Sequence, residues 1–384
     1  MPLWRRLAER KDIETKVFYG TDMSVRGYQD AGFGVSLQWD SPLVEGYSHE
    51  FLSVDPRIQR VSFWQPGFCG IFRRLKMFAP DVVVLTAYGS LFHLGALFAA
   101  RLTRAHIVIR HEASDVAEAR SQFKSIVRDW MLRRLYSQID RFAAIGTEAR
   151  THLSRLGVAG TKIGYAPYCV DTDFIECQIA SWGSKRTSVR EALGIGPGDI
   201  VLVFSGKLIP KKDPLLILAA ISLLPKHLAG RLHLVVAGDG NLRARLDREG
   251  RQILGRRLHL LGFLNQTEIG KAYISGDCLV LPSRKGTGET WGLVVNEAMQ
   301  FGLPAIVSDA VGCHRDLVRD GETGYVFSSG SAISLAGAIS RLTEAVAGGR
   351  RALGKNARSH VEAFSLQRAA DGLSDSILSI PSVL

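Results

Sequence analysis

Two glutamates, Glu289 and Glu297, stand eight residues apart in the stretch GTGETWGLVVNEAMQFGLP from Gly286 to Pro304. The first sits in a glycine-rich loop, the second on the helix that the pattern starts behind it. A loop entering a helix between Trp291 and Val294, with Gly292 and Leu293 at the junction, offers backbone N–H groups and the positive end of the helix dipole to a phosphate or diphosphate. Carboxylates on either side of that anion accept charge-assisted hydrogen bonds from hydroxyls. A ligand with sugar, diphosphate and ribose in a row has this layout.

A second group of residues has matching chemistry. The apolar run Ile200 to Phe204 ends in Ser205, Gly206 and Lys207, and a turn with Pro210 brings Lys211 and Lys212 before the next helix. Two ammonium groups at a strand end hold a diphosphate and stabilise the charge it gains on leaving. Taken alone, these lysines read as a solvated turn; beside the Glu289 loop they read as an anion site. Gly238 and Gly240 follow the run Leu232 to Ala237, either as a tight turn or as backbone that a ligand approaches. Phe263, after the run Leu258 to Leu260, faces either a nucleobase or the core.

The first half offers less. IRHEASD, Ile109 to Asp115, puts Arg110, His111 and Glu112 at the end of a strand, where a lone histidine is commonly structural. In the segment Asp30-Ala31-Gly32-Phe33-Gly34, followed by Trp39-Asp40, Gly32 and Gly34 either bring backbone close to a diphosphate or acceptor or make a plain turn. Asp171-Thr172-Asp173 has the form of a metal-binding DxD string, but it falls in a connection after Pro167 and is read as linker, with no metal ligand expected.

These residues need elements to position them. The chain has 384 residues, 46% of them hydrophobic, more than one core supports, so two domains are expected. Short, almost wholly apolar segments alternate with helical periods, the pattern of parallel sheets covered on both faces. Candidate strands are Lys16 to Tyr19, Val82 to Leu85, His106 to Ile109 and Arg141 to Ile145, then Ile200 to Phe204, Leu232 to Ala237, Leu258 to Leu260, Cys278 to Leu281, Ala305 to Val307 and Gly324 to Phe327. Ala166 to Ser188 has no convincing long period and is read as the connection between domains 1–175 and 176–384. Leu335 to Leu378 is helical in pattern and is expected to pack back on the first domain. Two doubly wound domains facing each other place a ligand in the cleft between their strand ends.

At this point the second half resembles a known family. The order Gly206-Lys207…Lys212, GDG at Gly238 to Gly240, LLGFLN at Leu260 to Asn265, Glu289-x7-Glu297 and DGETGYVF at Asp320 to Phe327 resembles the retaining glycosyltransferases of family four, with the GT-B architecture. The resemblance is strong over about residues 198 to 330 and loose beyond. It implies that Glu289 binds hydroxyls of the donor sugar, Glu297 the ribose hydroxyls, and Lys207 with Lys212 the donor diphosphate. The first of that pair is often arginine in the family; lysine keeps the charge and loses the bidentate fork. His111 matches a histidine that faces the transferred sugar. The start DxGFG…WD resembles a subgroup in which it replaces a double-glycine loop.

The implied activity is transfer of a hexose, with retention, from a UDP- or GDP-linked sugar to a glycan or lipid-linked acceptor in surface-polysaccharide synthesis, with no separate cofactor. A GT-B sugar-nucleotide epimerase and a non-catalytic sugar-binding paralogue are the rivals. The net charge of +11 also invites a nucleic-acid reading, but 23 basic face 18 acidic residues up to position 175 and 25 face 19 after it. An excess so evenly spread, without a basic arm, favours anionic ligands generally, and no nucleic-acid partner is expected. No run approaches the roughly 18 apolar residues of a spanning helix, the N-terminus lacks the apolar segment of a signal peptide, and five scattered cysteines form no disulfide framework. A cytoplasmic protein is expected, possible contact with the inner membrane face resting on Ser121 to Tyr136. There Phe123, Ile126, Val127, Trp130, Met131 and Leu135 recur at helical spacing, with Arg120, Lys124 and Arg128 on another face. The ordinary expectation for that stripe is burial on the core; the other is a basic face resting on anionic headgroups.

Overall fold

The computed structural model describes residues 2–30, 32, 34–115, 122–347 and 351–380. Ala31, Phe33, Arg120 and Ser121, named above, lie outside them.

The second domain is built on a six-stranded parallel sheet. Its strands are β9 (Ile200–Ser205), β10 (Leu232–Ala237), β11 (Leu258–Gly262), β12 (Cys278–Leu281), β13 (Ala305–Ser308) and β14 (Gly324–Phe327), in the order β11-β10-β9-β12-β13-β14. Every residue of β9, β10, β12 and β13 is buried, because helices cover both faces of the sheet. The strand order reverses direction between β9 and β12. Loops leaving those two strands diverge there, and a crevice opens at their carboxyl ends. The lysine loop follows β9; the Glu289 loop follows β12.

The first domain has eight shorter strands: β1 (Lys16–Tyr19), β2 (Tyr28–Asp30), β3 (Val35–Leu37), β4 (Ser48–Phe51), β5 (Val82–Leu85), β6 (His106–His111), β7 (Arg141–Ala144) and β8 (Ile163–Tyr165). β5 to β8 form a parallel sheet in sequence order, β1 pairs with β4, and β2 with β3 makes an antiparallel hairpin. All ten expected strands are present. β2, β3, β4 and β8 escaped the pattern: they are three or four residues long, and SHEF in β4 and IGY in β8 carry no apolar run.

Two expectations are corrected. The connection read as linker is helical, Thr172–Trp182 and then Arg186–Ala192. Asp171 caps the first of these through the Phe174 N–H at 3.2 Å, Ile175 is buried, and Asp173 pairs with Arg6 at 2.6 Å. The DxD string is thus a helix cap. Helix Gln122–Tyr136 does not bury its expected stripe: Ile126, Val127, Trp130 and Met131 are exposed, and Leu132 with Tyr136 meets the core. On the inward side Asp129 of this helix pairs with Arg155, which also holds Asp115 at 2.7 Å.

The chain ends by crossing back. Helix Arg351–Val361 packs on Leu293–Gln300 of the second domain, and helix Leu366–Leu378 then lies on β7, β8 and helix Pro2–Ala8 of the first. The second crossing is tight: a Cβ on Gly372 would sit 1.9 Å from the Tyr165 carbonyl oxygen. Gly372→Ala should therefore push the helix off β8 and cost about 1–3 kcal/mol of stability, read by urea denaturation. An unchanged midpoint would show that this packing contributes nothing.

Candidate functional site

β9 leads into a run of cations, and two separate pieces of chain meet it. Lys212 lies 2.5 Å from Glu289 Oε2, Lys211 donates to the Gly288 carbonyl oxygen at 2.8 Å, and Lys207 donates to both carboxylate oxygens of Asp30 at 2.8 Å. Local sequence sets up these positions. Pro210 opens a single 3-10 turn over Pro210–Lys212, and Asp213 follows at a left-handed φ of 48°, held by Arg284 at 2.7 Å from the far side of the crevice. Desolvation lowers the Lys211 pKa, with Lys212 and Lys207 adding to the effect against the pull of Glu289.

Glu289 is 7% exposed and also accepts a hydrogen bond from the Ser283 hydroxyl at 3.1 Å. Its carboxylate is thus aimed at the mouth of the crevice by one residue from each diverging strand. Glu297 sits one helix turn deeper, on Leu293–Gln300, and Tyr273 donates to its Oε2 at 2.5 Å. The same hydroxyl reaches Ser205, the last residue of β9, at 3.3 Å. Burial raises the Glu297 pKa, and the Tyr273 hydrogen bond opposes that rise. Gly292 caps this helix with φ 103°, and a Cβ there would sit 2.9 Å from Leu281 and 3.0 Å from Val311. The positive φ and these close neighbours suit glycine alone, and it starts the helix whose first N–H groups, at Leu293 and Val294, have no partner within the helix itself.

Close backbone approach explains the glycines after β10. A Cβ on Gly238 would lie 1.9 Å from the Gly206 carbonyl oxygen, and one on Gly240 would lie 2.6 Å from that of Leu208 and 2.9 Å from that of Gly32. Gly32 thus stands beside Gly240 across the cleft, while Gly34 has open space around it. Phe263 is half-buried in the loop after β11. The structure thus joins Lys212 and Lys211 to the Glu289 loop, Lys207 to Asp30 beside Gly32, Gly238 and Gly240 to the backbone of the lysine loop, and Glu297 to Tyr273 at the end of β9.

His111 stands apart from this group. It is 1% exposed at the end of β6, stacked between Tyr88 at 6.1 Å and His152 at 5.3 Å, and neither ring nitrogen has a hydrogen-bond partner. Burial drives its pKa down to about 3, with His152 adding to the effect, so the ring is neutral. Its ring contacts are all with the first domain.

Sequence reasoning missed Tyr273, Ser283 and the Asp30 carboxylate. Tyr273 lies in the six-residue helix Gly270–Ser275 and looks like an ordinary core aromatic, and Ser283 is one serine among many. Nothing local marks either of them. Asp30 was visible only as the start of a glycine-rich turn.

Comparison with known proteins fits this geometry. The family model Glycosyltransferase Family 4 matches residues 6–174, and Glycosyl transferases group 1 matches residues 185–360. D-inositol 3-phosphate glycosyltransferase of Geodermatophilus obscurus is 32% identical over 250 residues, covering 62% of this chain and 52% of that protein. The protein of that name from Mycobacterium tuberculosis is 30% identical over 237 residues, covering 59% and 45%. The chain spans about half the length of these curated relatives. Among solved structures, sucrose-phosphate synthase of Thermosynechococcus elongatus superposes with a TM-score of 0.67 at 18% identity, covering 98% of this chain and 91% of that one. Anabaena HepE in complex with UDP gives 0.65 at 17% identity, covering 87% of each. Such likenesses establish the expected GT-B fold.

The Lys212–Glu289 pair is nearly dry, so removing one partner strands the other. Lys212→Met should destabilise the unliganded protein by about 1–3 kcal/mol, and adding Glu289→Gln should recover part of that loss. Chemical denaturation of both variants measures it; a double variant no more stable than the single one would mean the two charges do not interact.

Proposed function

The chain carries the paired domains of the group 1 glycosyltransferases in a GT-B fold, and from that premise we propose that it transfers a hexose, with retention of configuration, from a UDP- or GDP-linked sugar to a glycan or lipid-linked acceptor. The observation that carries this reading is the Lys212–Glu289 contact at the switch point, where a cation and a hydroxyl-binding carboxylate stand side by side. Relatives agree in kind: HepE is solved with UDP and with UDP-glucose, and the curated relatives are named as glycosyltransferases.

In this reading the diphosphate lies against Lys207, Lys212 and the N–H groups at Leu293, with Glu289 on the sugar hydroxyls and Glu297 on the ribose. Phe263 and the backbone at Gly238 to Gly240 flank the base. The bond from the anomeric carbon to the diphosphate oxygen breaks, and one from the acceptor oxygen forms on the same face. The acceptor's proton passes to the departing phosphate oxygen. No protein nucleophile is required, so the acceleration comes from orientation and from charge stabilisation at the leaving group. His111, neutral and buried, acts on the sugar only if the first domain presents that ring to it. Synthesis of a surface polysaccharide is the role this activity suits.

The roles separate in kinetics. Glu297→Ala should weaken donor binding about tenfold or more, the worth of a hydrogen bond to a charged acceptor, with little change in kcat. Lys212→Ala should lower kcat about 10²-fold or more, since its charge matters most as the diphosphate leaves. Calorimetry and initial rates with a panel of nucleotide sugars test both, and release of nucleotide that depends on added acceptor would argue against an epimerase.

Helix Gln122–Tyr136 favours a second statement, that the protein rests on an anionic membrane surface. Trp130 is 69% and Ile126 68% exposed, flanked by Lys124, Arg133 and Arg134. Among the described residues no helix is long and apolar enough to cross a membrane, so contact would be peripheral. Sedimentation should find the protein with phosphatidylglycerol vesicles and not with neutral ones, and Trp130→Ser with Ile126→Ser should release it. Equal binding of the variant would remove this helix from the surface.

A further inference from the structure

Residues 28–40 belong to the first domain by sequence, yet they touch the second. Among the described residues of this segment, Asp30, Gly32, Gln38 and Asp40 reach loops after β9, β10 and β11. Asp30 holds Lys207 with both carboxylate oxygens, and the Gly32 carbonyl crowds Gly240. The Asn265 side chain donates to the Gln38 carbonyl oxygen at 2.8 Å. Thr267 donates to the Asp40 carboxylate through its hydroxyl at 2.5 Å and its N–H at 3.1 Å.

Asp30 is braced for this contact. It is 9% exposed, and the Gly32 N–H donates to its Oδ1 at 2.8 Å, closing the turn that aims the carboxylate. A Cβ on Gly32 would lie 2.7 Å from the Lys207 side chain and would have to push it aside. Two oxygens sharing one negative charge, set on an ammonium group in a cleft, present that group with what a phosphate presents. A diphosphate arriving at Lys207 meets this carboxylate at like charge and short range.

We propose that the β2–β3 hairpin is a latch on the donor site: Asp30 occupies on Lys207 the place of a donor phosphate oxygen, and the diphosphate and the hairpin compete for that ammonium group. The inference rests on the donor reading above. Binding of the diphosphate releases the Asp30 end, while the Gln38–Asn265 and Asp40–Thr267 contacts keep the far end of the segment on the second domain as a pivot. The hairpin then admits donor and moves as one step, coupling occupancy of the donor site to the cleft face that the first domain presents.

Asp30→Asn keeps the size of the side chain and the oxygen that the Gly32 N–H needs, and removes the charge. Calorimetry with UDP and GDP at low ionic strength should show the variant binding the diphosphate about five- to tenfold more tightly than wild type, the worth of a part-buried ion pair. Uridine and guanosine, which lack phosphate, should bind both proteins alike. The gain should vanish in a Lys207→Met background. Equal or weaker diphosphate binding by folded Asp30→Asn, or a gain that survives Lys207→Met, overturns the latch and leaves the donor site standing. Failure of wild type and variant alike to bind either diphosphate overturns the donor reading and the latch with it. Should Asp30→Asn not fold, Asp30→Ser carries the same comparison.

Discussion

Three ammonium groups within six residues of one strand end have to be held apart and neutralised, and the rest of the cleft is arranged by that requirement. Their mutual repulsion in a partly dry crevice is met by oxygens from two distant parts of the chain: Asp30 at position 207, and the adjacent Gly288 carbonyl and Glu289 carboxylate at 211 and 212. The loop from Ser283 to Glu289 is drawn to β9 by two of these contacts and by Arg284 on Asp213. The hairpin of the first domain is drawn to it by the third. A cleft that concentrates positive charge at a switch point, with a helix start opening on the same space, is organised for an anion before any anion arrives.

How much of this the sequence discloses depends on whether the signal is local. β9, β10, β12 and β13 are legible because strands buried on both faces must be apolar throughout, and their chain order gives the sheet. The pairing of Glu289 with Lys212 is legible as a coincidence of two loops in a known order. Tyr273 is not, because its contribution lies in where one hydroxyl lands after three elements have packed, with Ser205 and Glu297 brought to it from 68 and 24 residues away. Helix Thr172–Trp182 was hidden by its capping residues: Asp171 and Asp173 look like loop or metal chemistry until Phe174 donates its N–H to the first. The outward face of Gln122–Tyr136 was misjudged because spacing shows that a stripe exists and not which way it turns. The face that turns inward carries Leu132 and Tyr136, with Asp129 on Arg155.

The two domains meet through contacts of different kinds, and the difference bears on motion. Beside the connection the interface is apolar and interlocked. Trp291, next to the Glu289 loop, stands edge-on to Tyr168 at 6.0 Å, and a Cβ on Gly146 would lie 2.3 Å from its ring; one contiguous core runs through it between the domains. Asp316 adds a polar clasp there, accepting from the Thr147 N–H and hydroxyl, the latter at 2.8 Å. Across the mouth the contacts are polar and made by the hairpin segment. Burial of an aromatic ring has no substitute in water, whereas a carboxylate–ammonium contact near solvent is worth little net and is readily exchanged for another oxygen. Exchanging the Asp30–Lys207 contact for another oxygen leaves the Trp291 interface intact, together with the Gln38–Asn265 and Asp40–Thr267 contacts.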